Sequence, residues 1–445
     1  MPERRPDDRG SPPALPGAAG EGPDGRPWRP GPRRPAVAGR PATAGPRPSQ
    51  PRTSRGRPQL TLADQAAPVR SRRAPGRRGL SSIAWLAVVP VAILGIVLIV
   101  HASQRAATAP QGGDLVVASV PYWSIGPGSQ AVLANRGDVN EVSPWIYGIG
   151  SNGQIILDSG VSEATIRADL SRFRARGLRI LPTLANVNAQ GSFSYGAVAR
   201  MLHDPAMAAR QVADIVALVD ANNYAGIDLD YENLQAGDRQ AFTSFVTRLA
   251  AALHAHGRLL SVALFAKTTN AGYAPRNVAQ DYAAIGRVAD QVRLMAYDHA
   301  WSTSPPGAAA PIGWVRAVLT YAKTQIAASK IVLGIPLYGY DWSGGYGTAI
   351  TWQQAITLSR RYAAPLRYST ASQSSWFTYT DASGRRHTVW FESAKSSRAK
   401  FEAARDAGIA GVYLWMYGSP DPATWPALRQ VIPLASRSAA SRRAS

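Results

Sequence analysis

Gly226-Ile227-Asp228-Leu229-Asp230-Tyr231-Glu232-Asn233-Leu234 is the stretch from which the rest of this chain can be read. In an extended strand, successive side chains point to opposite faces. Asp228, Asp230 and Glu232 therefore share one face, while Ile227, Leu229 and Tyr231 take the other. Carboxyls confined together on a buried face repel one another and resist desolvation. Protonation of one or more of them at neutral pH relieves that cost, and a proton held in this way is what a general acid needs. The rival reading is an amphipathic edge strand with a solvated acidic face. Acids spaced by two against uniformly apolar partners argue against it.

Working outward, short runs rich in Val, Ile, Leu and aromatics fall at Leu115–Trp123, Glu141–Ile149, Arg179–Asn186, Gly226–Glu232, Leu259–Ala266, Gln291–Asp298, Ile331–Trp342 and Gly411–Gly418. Helical patterns fill the intervals, at Glu163–Arg176, Ala206–Asp220, Asp238–Ala255, Val278–Ala289 and Trp314–Ala327. Strand and helix in alternation predict parallel β/α units, and eight units predict a closed (β/α)8 TIM barrel over residues 115–434. An open doubly wound sheet is the alternative. It would want a GxGxxG loop after the first strand, and Pro121-Tyr-Trp-Ser-Ile-Gly-Pro-Gly-Ser129 lacks that frame. The interval before the last run is longer than the others. Within it, Phe377–Phe391 reads as a hairpin turning at Asp381–Gly384, so a small α+β insertion is expected at about residues 345–395. Barrel enzymes carry their chemistry at the C-terminal ends of the strands, where Glu232 stands.

These residues carry a resemblance. The acidic stretch resembles the signature strand of family 18 glycoside hydrolases, the chitinase-like enzymes, whose pattern is Asp-x-x-Asp-x-Asp-x-Glu. The last three acids fall on Asp228, Asp230 and Glu232, whereas the first position holds Ala225, a departure that bears on tuning more than on activity. Met295-Ala-Tyr-Asp298 is similar to the family's Met-x-Tyr-Asp, and Tyr413-Leu-Trp-Met-Tyr417 falls where the family places a Trp beneath the sugar. Glu141-Val-Ser-Pro-Trp-Ile-Tyr147, Leu181–Asn186 and Val389-Trp-Phe-Glu392 resemble the branch acting on bacterial walls and spore cortex.

The resemblance implies a retaining hydrolase in which the substrate's own 2-acetamido group attacks the sugar carbon. On that basis Glu232 protonates the leaving oxygen and later activates water. Asp230 orients the acetamide, Asp228 holds Asp230 and shares its proton, and Tyr297 hydrogen-bonds the acetamide carbonyl. Trp415 floors the sugar pocket, and Asp298, Met295, Tyr338 and Asn186 are expected as further substrate contacts. The expected partner is an N-acetylglucosamine-containing polysaccharide, with peptidoglycan favoured over chitin, and the expected state is a monomer. No cofactor and no metal is called for, and His299 is expected as a contact at the rim of the cleft. The competing class is a chitinase-like protein that binds glycan without cutting it.

Composition divides the chain further. The formal net charge is +21, and residues 1–79 hold 17 Arg and no Lys against six acids, so this stretch alone carries 17 − 6 = +11. It also holds 17 of the 34 prolines and reads as a disordered cytoplasmic tail, suited to electrostatic contact with a membrane surface rather than to a specific nucleic acid. The run Leu80–Val100 has no charged residue and is long enough to cross a bilayer as a helix. Arginines crowd its N-terminal flank, so residues 80–102 are expected as a signal anchor of the cytoplasmic membrane, N-terminus inside and barrel outside. A signal peptide cleaved at Val100-His101-Ala102, giving a secreted protein, is the alternative. Residues 103–114 read as a linker and 435–445 as a frayed end. Without any cysteine the chain has no disulfide, thiolate metal site or cysteine nucleophile.

Overall fold

A parallel sheet joined by helices is buried on both faces, and the apolar runs of this chain form such a sheet. The computed structural model describes residues 115–434 apart from 158–161, 190 and 272. Its parallel strands are β1 (Leu115–Pro121), β2 (Glu141–Ile149), β3 (Arg179–Ile180 continued by Thr183–Ala185), β4 (Gly226–Asp230), β5 (Leu259–Phe265), β6 (Gln291–Met295), β7 (Ile331–Pro336) and β8 (Gly411–Trp415). Each pairs with the next in parallel register, and β8 returns to pair with β1, so the sheet closes as a (β/α)8 barrel. Closure brings backbones close: a Cβ on Gly411 would stand 1.8 Å from the Leu115 carbonyl oxygen, which leaves glycine as the fitting residue there.

The outer face of the barrel is apolar. Ile227, Leu229 and Tyr231 are fully buried in the layer beneath the helices, and the Tyr231 ring stacks on Phe245 of helix Arg239–Ala255 at 6.0 Å. The helices start where capping residues allow. Ser162 accepts from Thr165 N–H, and Asp204, followed by Pro205, accepts from Ala206 and Met207 N–H.

The inner face is polar instead of layered aliphatic, because β2, β4 and β6 point charged side chains inward. Arg293 is 1% exposed. Its Nη2 meets Glu141 Oε1 at 2.7 Å, and its Nη1 meets Ser143 Oγ at 2.6 Å and Asp228 Oδ2 at 3.0 Å. Gln291 and Arg179 donate to the other Glu141 oxygen at 3.0 and 2.8 Å.

The run Ile331–Trp342, expected as one strand, is two. Pro336 has no N–H to donate, β7 ends there, and Gly339–Ser343 turns into a separate antiparallel sheet. That sheet runs in the order Tyr346–Ile350, Gly339–Ser343, Arg386–Phe391, Ser374–Thr380, Arg367–Ser369, with helix Trp352–Arg361 packed on Phe377, Val389 and Phe391. The hairpin expected at Asp381–Gly384 is present between two of its strands. The buried Lys400 Nζ pairs with Glu392 at 2.9 Å and ties the sheet to helix Ala394–Ala407.

The expected tail 1–79, apolar segment 80–102, linker 103–114 and end 435–445 lie outside the described residues. The expected placement as a single-pass protein of the cytoplasmic membrane is corrected: among the described residues no helix is long and apolar enough to cross a membrane. The physical reason is plain in the longest of them, Pro205–Ala221 and Arg239–Ala255. At 17 residues each reaches only about 26 Å, short of the roughly 30 Å hydrocarbon core, and each carries charge on its outer face.

Replacing Arg293 with Met leaves Glu141 and Asp228 buried without their cation. Breaking a buried pair in this way costs about 3–5 kcal/mol. Urea unfolding of R293M should show that loss; a change under about 1 kcal/mol would mean the network does not support the barrel.

Candidate active site

Strand alternation carries the three acids up one inner face of β4 to its C-terminal end, and all three are buried. Asp228, the lowest, accepts from Thr183 Oγ1 at 2.9 Å and is paired with Arg293. Asp230 accepts from Trp145 Nε1 at 3.0 Å, a bond reaching across from β2. Its other oxygen, and Glu232 Oε2, make no hydrogen bond among the described residues. Glu232 follows the end of the strand, with its backbone gripped by Asn186: the Asn186 amide donates to Glu232 O at 2.9 Å and accepts from Glu232 N–H at 2.8 Å. Ala225 lies at the other end of β4, seven positions and roughly 23 Å from Glu232, on the helix-facing side.

Desolvation dominates the electrostatics. Burial, then the charge of Asp228, lifts Asp230 to about 7, against the opposing Trp145 hydrogen bond and Arg293. Glu232 is raised well above the ordinary carboxyl range by burial, then by the charge of Asp230, with a smaller push from Asp298, while Arg276 opposes them. The row thus favours a protonated carboxyl at its outer end.

The ends of β6 and β7 add a tyrosine cluster. Tyr297 and Tyr413 share a hydroxyl hydrogen bond of 2.8 Å. Gly334 makes room for the pair, since a Cβ there would come within 2.7 Å of Tyr297 and 2.8 Å of Tyr413. Asp298, with φ at 54°, accepts from Tyr338 and Tyr340 hydroxyls on one oxygen, at 2.5 and 3.0 Å. Burial raises its pKa to about 6 against those two bonds. Trp415 ends β8 half-buried, edge-on to Trp123 at 6.1 Å and Trp145 at 6.3 Å. Met295 ends β6, buried, in register with Phe265.

The expected residues therefore gather at one mouth of the barrel, with differences in how they act. Asn186 and Tyr338, expected to touch substrate, have their polar atoms on the Glu232 backbone and on Asp298. Asp228, expected to hold Asp230, accepts from Thr183 and is ion-paired with Arg293, and its charge raises the pKa of Asp230. His299 was expected at the rim; its ring instead packs on Trp314 of helix Ile312–Gln325 at 5.1 Å. The roles of Trp145, Arg293, Thr183, Tyr340, Tyr413 and Arg276 were not foreseen. Polar Gln291 and charged Arg293, two apart on one face of a strand whose other residues are apolar, were the available signal for Arg293. For Arg276, on the short helix Pro275–Ala279, the sequence offers none.

The chain is similar to known proteins. The model of Glycosyl hydrolases family 18 matches residues 148–419. The cortical fragment-lytic enzyme of Bacillus subtilis (strain 168) is 34% identical over 313 residues, 67% of this chain and 72% of that protein. Among solved structures, a chitinase from Chromobacterium violaceum ATCC 12472 superposes with a TM-score of 0.67 at 30% identity, covering 72% of this chain and 99% of that one. The spore cortex-lytic enzyme SleL of Bacillus megaterium QM B1551 follows at 0.66 and 30%, covering 74% and 76%.

The raised carboxyls set a pH dependence of stability. Between the ordinary carboxyl range near 4 and their folded values, Asp230 and Asp298 hold protons in the native state that the unfolded chain has released. Their contribution is therefore full at the acid end and is lost as pH rises through about 6 and about 7. His299, lowered by burial, acts in the opposite sense, its contribution lost as pH falls below the ordinary imidazole range. Urea midpoints should fall from pH 5 to pH 8, and a double variant Asp230→Asn, Glu232→Gln should flatten the slope. An equal slope in the variant would show that the acids are not the source.

Proposed function

Since the chain belongs to Glycosyl hydrolases family 18, we propose that it cleaves β-1,4-linked N-acetylglucosamine-containing glycan with retention of configuration, by substrate-assisted catalysis. Wall peptidoglycan is the favoured polymer, because the named relatives include cortex-lytic enzymes, and chitooligosaccharide comes next. The observation that carries the reading is the buried row in which Glu232 alone extends past the strand, its pKa raised by desolvation and by the carboxyl below it.

In the reaction, Glu232 delivers that proton to the leaving glycosidic oxygen. Asp230, whose ionised form is favoured by the Trp145 hydrogen bond, faces the 2-acetamido nitrogen. It steadies the positive charge that develops as the acetamide oxygen attacks the sugar carbon. Tyr297, positioned by Tyr413, donates to the acetamide, and Trp415 presents an apolar face to the sugar ring. Glu232, now ionised, takes a proton from the water that opens the cyclic intermediate. Asp228 and Arg293 act below this line, keeping a fixed field under Asp230. No metal or cofactor enters these steps.

The test is turnover on chitotetraose and on wall glycan, with new reducing ends counted and the anomer read by proton NMR. The β-anomer should appear first. Glu232→Gln should lower turnover by about 10²–10⁴-fold while glycan binding survives, and Asp230→Asn should also cripple it. Undiminished turnover in a folded Glu232→Gln protein, or release of the α-anomer, would refute the assignment.

A further inference from the structure

Arg276 is a charge at this mouth that the proposed chemistry leaves unused. The segment bearing it is docked firmly: Gln280 accepts from Phe265 N–H at 2.7 Å and donates to Tyr231 O at 3.3 Å, the carbonyl just before Glu232. The Arg276 guanidinium lies over the Phe265 ring at 4.1 Å, at the C-terminal end of β5. Its Nε and Nη1 are buried and make no hydrogen bond among the described residues. Arg293 shares an unpartnered Nε but has both terminal nitrogens engaged. Arg276 also interacts electrostatically with Glu232 and Asp298.

That position is costly in two ways. Buried guanidinium donors without acceptors carry a desolvation penalty. A cation beside Glu232 also favours the ionised carboxylate, against the proton that a general acid must keep. Both costs fall if the substrate brings an anion to this point. The anion pairs with the guanidinium charge, and it offsets the pull on the Glu232 proton. A glycan of N-acetylglucosamine alone offers hydroxyls and amides, which accept hydrogen bonds but carry no charge to offset that pull. A wall glycan carries carboxylates beside the β-1,4 bond, on the 3-O-lactyl arm of its muramic acid residues or on the peptide attached there.

We propose that Arg276 receives a carboxylate of the glycan, from the lactyl arm or its attached peptide, and so selects acidic wall glycan over neutral chitin. This rests on the reading of the cleft as a glycan hydrolase site. It places Arg276 in binding and in control of Glu232, and makes the substrate's charge a part of the acid's activation.

The experiment compares four probes on the full chain: a glucosaminyl–muramyl tetrasaccharide with free lactyl acids, its methyl ester, its peptide-bearing form, and chitotetraose. Binding is followed by tryptophan fluorescence, with product release read in parallel. The free acid should bind about 10–100-fold more tightly than its ester, the worth of a charge-assisted hydrogen bond. In Arg276→Gln, checked for fold by circular dichroism, that ratio should approach one, and Arg276→Lys should fall between. If only the peptide-bearing form shows the advantage, and Arg276→Gln removes it, the carboxylate is the peptide's. An acid-to-ester ratio near one in the wild type with no gain for the peptide-bearing form, or a ratio preserved in Arg276→Gln, overturns the proposal. Product release judges the hydrolase reading separately: a protein that prefers the acid and releases nothing would keep the carboxylate site and lose the chemistry.

Discussion

A guanidinium sealed inside a barrel must be surrounded by acceptors, and here that requirement organises the whole interior. Arg293 draws in Glu141, Ser143 and Asp228 from two other strands, so the lower half of the barrel holds a buried polar network. Above it the cation is out of reach as a hydrogen-bond partner, and Asp230 and Glu232 meet burial with little compensation. One strand thus passes from an ion-paired carboxyl to carboxyls whose pKa values burial raises. Aliphatic layers would pack such a barrel more cheaply. The polar interior makes sense as the support of a charge gradient aimed at the mouth.

The surrounding residues keep that gradient in place. Asn186 grips Glu232 by its backbone, leaving the carboxyl to be positioned without a strong donor that would lower its pKa. Trp145 does the reverse for Asp230, holding one oxygen and limiting how far burial can raise it. Asn233 and Asp298, at φ of 58° and 54°, adopt the left-handed conformation immediately beside the acids. Asn and Asp tolerate it better than most residues, and strain of this kind persists where surrounding contacts over-determine it. Two tyrosine hydroxyls on one oxygen of Asp298 are such contacts.

Much of this was legible because it follows from period and order. Alternation alone assigns Asp228, Asp230 and Glu232 to the inner face and Ile227, Leu229 and Tyr231 to the helices. Strand–helix order gives the barrel, and the Asp381–Gly384 turn gives the hairpin. The break at Pro336 was missed since apolar residues continue through it, and only the lost N–H marks the change of sheet. Interactions across the barrel were harder. Arg293 and Glu141 are 152 positions apart, and no local pattern reports such a pair. Asn186 and Tyr338 were placed at the right mouth, yet which atom each one binds depends on the closed geometry. Arg276 sits on a helix of five residues after a loop, where spacing carries no information.

The central claim is that burial leaves Glu232 with its proton at neutral pH. It can be measured directly by carbon-13 NMR of the side-chain carboxyl, assigned by comparison with Glu232→Gln, over a pH titration of the full chain. The account predicts a carboxyl still protonated at pH 7 that titrates well above the ordinary 4.5. A Glu232 resonance that titrates at that ordinary value, with Asp230 also ionised below pH 5, would contradict it.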